Sequence, residues 1–411
     1  MLGPLLAGGF VLYQAGRTHG EVRISGHRAA GSALTTRVLR LEEVDAEMVA
    51  AWSNLERRVA EPNAFLSPFF VLPALRHLEP ALRPVFVTAS HPCGALVGLG
   101  VFRDRPATRR FPLRHLGAFR SQHSYLSGWL LDREHAREAI GSMIARLTAA
   151  GTPWHGLVFP HMPAGETSDM MLEAAAEHGG TWFEYARRTR AILEVAEAGE
   201  RHLDARLSSQ RRKALRRKRR QLEGAGSVSW ALHSGPEIEG CVDRFLRLEH
   251  SGWKRTSGQS ILSSQGNEAF FREMVEGFRR EGRVFFTELA LDGEVVSATS
   301  NLVSGHEGFA FKIGWSPAYA AMSVGILNEV ELIRHAPTCL GHLTRLDSGS
   351  EPGSYMDDLW TDRRVLVDGL LTTTRVGRLA GHLMALALRA KRRLIQAHAR
   401  AALPLAIAAD L

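Results

Sequence analysis

An α/β (α+β) fold built from two successive halves is the architecture this sequence predicts. Three observations carry that expectation. Short period-two runs of apolar residues alternate with helical three- and four-residue spacings along most of the chain. The parts before and after residues 201–225 hold similar sets of elements, strands mixed with helices. Between them lies RRKALRRKRR at 211–220, eight cations in ten residues.

In order, residues 1–35 are rich in Gly, Ala and Arg, show no sustained period, and read as a poorly ordered extension. Leu39 and Leu41 flank Arg40, a weak strand signal. Glu42 to Ala60 predicts a helix with Met48, Trp52 and Leu55 on one face, and Pro68 opens a second helix to Leu78. Pro84 to Thr88 and Ala95 to Phe102 predict strands around a Pro92-Cys93-Gly94 turn. Ser124 to Leu131 is a further strand candidate, Glu134 to Ala150 a helix and His155 to Phe159 a strand. In the second half, Ser227 to His233 reads as a strand. Pro236 to Trp253 and Asn267 to Glu281 read as helices. Asp292-Gly293 between Val284–Leu291 and Glu294–Val303 is the strongest hairpin signal in the chain. His342 to Asp347 predicts another strand; Val365 to Leu370 and a long helix after Thr374 are expected to close the second domain.

A chain of 411 residues allows two or three domains, and its 45% hydrophobic and 23% charged residues mark it as globular. A formal charge of +8 favours anionic partners. Three cysteines, odd in number and far apart, imply no disulfide framework, so a reducing, cytoplasmic setting is expected. No apolar run reaches the roughly 20 residues that span a bilayer, and no secretory signal is expected at the start. Walker A, G-x-G-x-x-G, G-x-S-x-G and H-E-x-x-H patterns are absent, and neither His nor Cys is spaced as a metal ligand set. Metal-dependent and serine hydrolysis therefore have no support, and no metal is expected.

The most informative stretch is Gly308 to Ala336. Phe309, Phe311 and Ile313 alternate as a half-buried strand, Ser316-Pro317 breaks it, and a small-residue loop leads to a helix starting near Ser323 or Val324. The first N–H groups of that helix have no internal partner and its dipole makes that end positive, so strand, turn and helix together form a receptor for phosphate. An ordinary strand–turn–helix is the competing reading of the same residues. Residues 203–223 predict a one-sided helix, with Leu203, Leu207, Leu215 and Leu222 inward and a basic outer surface. It serves either as a solvated connector or as a contact for phosphates, anionic polymers or membrane head groups. Nucleic acid is not expected, because the basic run has no interleaved aromatics.

Several of these stretches resemble one family. Ser208-Ser209-Gln210-Arg211-Arg212-Lys213, Leu248-Glu249-His250-Ser251-Gly252-Trp253-Lys254 with Gly258, Phe311 to Tyr319 and Pro62 to Pro68 are similar to segments of CelD-like proteins. These are members of the GNAT acyltransferase superfamily often linked to cellulose or exopolysaccharide clusters. The resemblance covers roughly residues 36–395. It implies two tandem GNAT-like domains, as in FemAB-like proteins: a degenerate domain over 36–200, the basic connecting helix at 201–225, an acyltransferase domain over 226–400 and a tail from 401.

It also implies acetyl-CoA or another acyl-CoA as co-substrate. The pyrophosphate would sit on Met322, Ser323, Val324 and Gly325, with Lys312 nearby. Acyl transfer to an amine requires a base, an oxyanion donor and help for the leaving thiolate. Asp347 and Glu249 are the candidate bases, Tyr355 the candidate acid, and Trp253 and Lys254 the candidate acceptor contacts. Two departures stand out: Ser323-Val324-Gly325 replaces the family's Ser-Pro-Gly, and Tyr355-Met356 replaces Tyr-Lys. The expected activity is N-acyl transfer to a small or glycan-linked amine. The alternative is an inactive module that binds an anionic polymer, membrane surface or biosynthetic partner through 211–220.

Overall fold

The computed structural model describes residues 34–108, 111–251 and 253–389. The expected N-terminal extension and C-terminal tail lie almost wholly outside them. The first half runs β1 (Thr35–Leu39), α1 (Ala46–Glu56), α2 (Pro68–His77), β2 (Pro84–Ser90), β3 (Leu96–Arg105), β4 (His115–Ala118), β5 (Leu130–Leu131), α3 (Ala136–Thr148), β6 (Gly156–Pro163), α4 (Glu166–Glu177) and β7 (Thr181–Glu194). The second runs α5 (Glu200–Arg206), α6 (Ser209–Glu223), β8 (Val228–Ser234), α7 (Cys241–Ser251), α8 (Trp253–Thr256), α9 (Gln265–Arg280), β9 (Val284–Leu291) and β10 (Glu294–Ser304). It continues through β11 (Glu307–Trp315), α10 (Val324–Cys339), β12 (Arg345–Asp347), α11 (Met356–Leu359) and β13 (Asp362–Thr372). A last helix, α12, covers residues 375–389.

Mixed α/β architecture is what the chain adopts, with one large sheet flanked by helices. The strand order is β1-β2-β3-β4-β6-β13-β7-β12-β11-β10-β9-β8, with β5 branching from β3. β7 and β12 pair antiparallel, Arg345 opposite Glu194 and Asp347 opposite Ile192, and so weld the halves into a continuous sheet. β13 lies between β6 and β7. The strand expected to close the second domain is thus a central strand of the first half's sheet.

Apolar packing crosses the same seam. Trp52, Phe65 and Phe70 share one buried cluster with Phe245, Phe270 and Phe311. Phe70 meets Phe270 edge-on, with centroids 5.3 Å apart.

Local chemistry explains where the elements begin and end. The β9–β10 hairpin turns at Asp292 (φ 51°) and Gly293 (φ 82°), both left-handed as a two-residue primed turn requires. The predicted basic helix is two helices. Leu207 is extended (φ −90°, ψ 136°), and the Ser208 hydroxyl accepts from Arg211 N at 3.2 Å to start α6 afresh. Leu203, Leu207 and Leu222 are nonetheless buried, as their spacing suggests. Similarly, left-handed Gly240 (φ 82°) separates a short 3₁₀ turn from α7 inside the expected 236–253 helix.

The strand expected over Ser124–Leu131 shrinks to β5. Ahead of it, Ser124 Oγ accepts from Ser121 N at 3.0 Å and Arg120 donates to Ser124 O at 3.0 Å, so local bonds replace a ladder. That irregular segment carries Tyr125 into the second half.

Candidate active site

β11 and β12 pair in parallel for three residues only, Glu307 to Phe309 against Arg345 to Asp347. Beyond Phe309 the strands part, while β11 stays bonded to β10 through Trp315. The β10–β11 register shifts between Ser300 and Asn301: Asn301 faces Ala310 and Ser300 faces Lys312, leaving Phe311 as an extra residue. The bulge re-aims β11 where it loses its other neighbour. A cavity of about 310 Å³ fills the split. Its walls include β11 residues Ala310 to Ile313, the 348–350 loop, Tyr355, Lys254, Glu329 and, from the first half, Tyr125.

The start of α10 borders this split. Ser323 is left-handed (φ 55°, ψ 44°) and its side chain caps nothing. Its carbonyl accepts from Ile326 N and Leu327 N, both at 3.0 Å. The N–H groups of Val324 and Gly325 meet no acceptor among the described residues, which leaves the positive helix end unsatisfied. Lys218 of α6 donates to the Ala321 carbonyl beside it. Arg219 binds Glu331 of α10 at 2.6 Å and fixes α6 against that helix.

Five ionisable side chains line the cavity: Tyr125, Lys254, Lys312, Glu329 and Tyr355. Lys254 donates to the Ile313 carbonyl at 2.8 Å and pairs with Glu249 at 3.2 Å. Burial pushes the Lys254 ammonium below the usual lysine range, and Glu249 offsets part of that. Lys312 donates to Tyr125 Oη at 2.8 Å, and that phenol donates to the Phe311 carbonyl at 3.0 Å. No carboxylate within ion-pair distance serves Lys312 among the described residues. Glu329 is buried, its Oε2 has no partner, and burial raises its carboxyl to about 7. Burial, and then the charge of Glu329, pushes the Tyr355 phenol well above the usual tyrosine range, so it stays protonated.

The sequence-derived site residues divide three ways. Tyr355, Lys312 and Lys254 line the cavity, and Met322 to Gly325 form the adjoining turn and helix start. Asp347 and Glu249 are among the buried residues but do not line it. Asp347 Oδ1 accepts from Gly349 N at 2.9 Å and lies 3.5 Å from Arg190; Oδ2 accepts from Arg364 at 2.8 Å. Arg364 also binds Glu307. Burial opposes the charge of Arg364, but Asp347, Glu307 and Glu61 outweigh it and raise its pKa. Asp347 is therefore an anchor of the ionic seam between the halves. Glu249 accepts from Ile261 N at 2.9 Å besides binding Lys254. Its backbone presses so closely on β11 that a Cβ at Gly314 would lie 2.7 Å from Glu249 N. The Trp253 side chain lies outside the described residues.

Glu329 and Tyr125 were not expected. Glu329 sits three residues after Ile326 and four before Ile333, on the apolar stripe, and a lone acid on such a stripe was the available signal. Tyr125 gave none.

Metal-ligand atoms come together at one place among the described residues. The ligand atoms of His233, Cys241 and Glu288 lie within 4.8 Å of one another. Arg244 already binds Glu288 through Nε at 2.9 Å and Nη2 at 3.0 Å, with Nη2 3.1 Å from Cys241 Sγ. Its guanidinium supplies the positive charge there. No helix among the described residues is long and apolar enough to cross a membrane.

Residues 209–356 match the family model of the acetyltransferase (GNAT) domain. FemX has a similar structure, with a TM-score of 0.53, 10% identity, and coverage of 82% of this chain and 98% of that one. So does the C-terminal (DUF2156) domain of a protein assigned as a lysylphosphatidylglycerol synthetase from Agrobacterium fabrum, with a TM-score of 0.50, 12% identity, and coverage of 84% and 96%. No curated protein matches the sequence. The match over residues 209–356 supports an acyltransferase-type enzyme, and the two solved structures share the fold.

Proposed function

We propose that the protein transfers an acyl group from an acyl-CoA thioester to an amine, with Glu329 as the general base. The observation that carries this reading is the conjunction of free amides at Val324 and Gly325 with a cavity holding an unpartnered, buried carboxyl at the β11–β12 split. The residues present fit the co-substrate. The bare helix start suits a diphosphate, and Lys218 and the rest of α6 add positive potential beside it. Along β11, the carbonyls of Phe311 and Ile313 are already bonded to Tyr125 and Lys254, so the ligand's amides are left the remaining groups of the parted strand.

When bound, the thioester supplies an acyl carbon already activated for attack. Glu329, titrating near 7, takes the proton from the acceptor ammonium and frees the amine lone pair. The amine nitrogen then bonds to the acyl carbon as the carbon–sulfur bond breaks, and the second nitrogen proton passes to the departing thiolate, so that a neutral amide and a free thiol result. Lys312, held by Tyr125, offers an N–H to the developing negative oxygen. Tyr355, kept protonated by burial, hydrogen-bonds to the departing sulfur. In this reading Asp347 and Glu249 position the site and do not act as its base. A cell-envelope or glycan-linked amine is the acceptor class that the CelD-like resemblance suggests.

The test is a melting-temperature panel with acetyl-, medium- and long-chain acyl-CoA, followed by thiol release in the presence of amine acceptors. A rise in melting temperature with at least one acyl-CoA, and acceptor-dependent thiol release, are expected. Melting that no acyl-CoA shifts would overturn the reading in favour of an anion-binding module, with salt-sensitive binding through Lys213, Arg216, Arg217 and Arg220, all exposed on α6.

A further inference from the structure

All the exposed large hydrophobic side chains among the described residues belong to one helix. Val376, Leu379, Leu383 and Leu386 of α12 are 56%, 63%, 59% and 59% exposed. Their spacing of three, four and three residues puts them in a single row. The opposite face of α12 is already filled: Ala380, Met384 and Ala385 pack with Phe111, Phe183 and Leu370. The row therefore faces away from the protein, and so concentrated an apolar strip on an otherwise polar surface marks a contact site.

Charge indicates what it contacts. Residues 375–389 include Arg375, Arg378 and Arg389 and no acid. The following 22 residues add Lys391, Arg392, Arg393 and Arg400 against Asp410. At 100° per residue Arg375, Arg378 and Arg389 all fall on one flank of the row. A second copy of the chain would set like charges on that flank against each other, which disfavours a helix pair. A surface that is apolar beneath and anionic above satisfies both features.

We propose that α12 docks the protein onto an anionic lipid bilayer, with Val376, Leu379, Leu383 and Leu386 entering the acyl boundary and the flanking cations meeting head groups. Partly buried apolar area and several cations near the surface add up to reversible binding, which weakens as salt screens the head groups. No residue of the row lines the cavity at the β11–β12 split.

The test is co-sedimentation of the full chain with phosphatidylcholine vesicles, with and without phosphatidylglycerol, at low and high salt. The protein should sediment with the phosphatidylglycerol vesicles alone and release as salt rises. A Leu379→Ser/Leu383→Ser variant, altered only at exposed positions, should keep the wild-type melting curve. It should lose vesicle partition by on the order of tenfold or more. No sedimentation with either vesicle overturns the proposal, as does equal sedimentation of the variant. A wild-type dimer that the variant dissociates also overturns it and assigns the row to a second copy.

Discussion

Replacing Glu329 by Gln separates the catalytic proposal from a structural account of the same residue, because the two predict opposite changes. Glu329 Oε2 is buried without a partner, and burial lifts the carboxyl from 4.5 to about 7. Holding a charge there costs roughly 3 kcal/mol relative to the unfolded chain. The sign follows from the direction of the shift. Below pH 4.5 the group is protonated in both states and costs nothing. The cost grows as pH rises through 4.5 to 7 and is complete above 7. Glutamine, neutral throughout, removes it. Denaturant titrations should therefore show wild type and Glu329→Gln equally stable near pH 4, and the variant more stable by up to about 3 kcal/mol at pH 8.

Activity should move the other way. A positioned general base contributes roughly 10²- to 10⁴-fold, so kcat for acceptor-dependent thiol release should fall by that factor while KM for acyl-CoA holds. The wild-type acidic limb, inflecting near pH 7, should disappear. A variant that keeps its rate within about threefold, or keeps that limb, would show that the base lies elsewhere.

Other substitutions read different parts of the site. A side chain at Gly325 starts 3.3 Å from Ile313 and 3.5 Å from Trp315, so Gly325→Trp should fill the helix mouth and abolish the acyl-CoA melting shift, with the unliganded fold retained by circular dichroism. Asp347→Asn leaves Arg190 and Arg364 buried beside a neutral amide. It should cost about 3 to 5 kcal/mol in denaturant unfolding, and an intact stability with lost turnover would restore Asp347 as a catalytic candidate. Tyr125→Phe removes the hydroxyl that bridges Lys312 to the Phe311 carbonyl. Turnover should drop about tenfold with little change in melting, and Tyr125→His should recover part of it if a donor–acceptor at that point is what positions Lys312.

What was legible in the sequence was what local chemistry decides alone. Asp292-Gly293 specifies its hairpin because both residues tolerate positive φ, and the alternation of Phe309, Phe311 and Ile313 specifies β11 because one face is buried. The helical spacing of Ile326, Val330 and Ile333 placed the next helix start near Ser323 or Val324, and the structure has it at Val324. The seam was illegible because β7 breaks the pattern that identifies strands, and because the strands expected over His342–Asp347 and Val365–Leu370 carry no local sign of the strands they pair with. β7 carries Arg187, Arg188 and Arg190 through the middle of the sheet, and β13 carries Arg363 and Arg364. Those charges are tolerated because acids from other positions pair with them: Asp368 with Arg188, and Asp347 and Glu307 with Arg364.

In the proposed reading the seam also moves the base from Asp347 to Glu329. Asp347 ends a strand beside the parted β11, which from sequence is where a base belongs, yet β13 arrives from beyond it in the chain with Arg364 to neutralise it. Glu329, one helical turn past Gly325, has no such visitor. Of the buried acids near the split, it is the one whose burial goes uncompensated, and that imbalance is the property a base working near neutral pH needs.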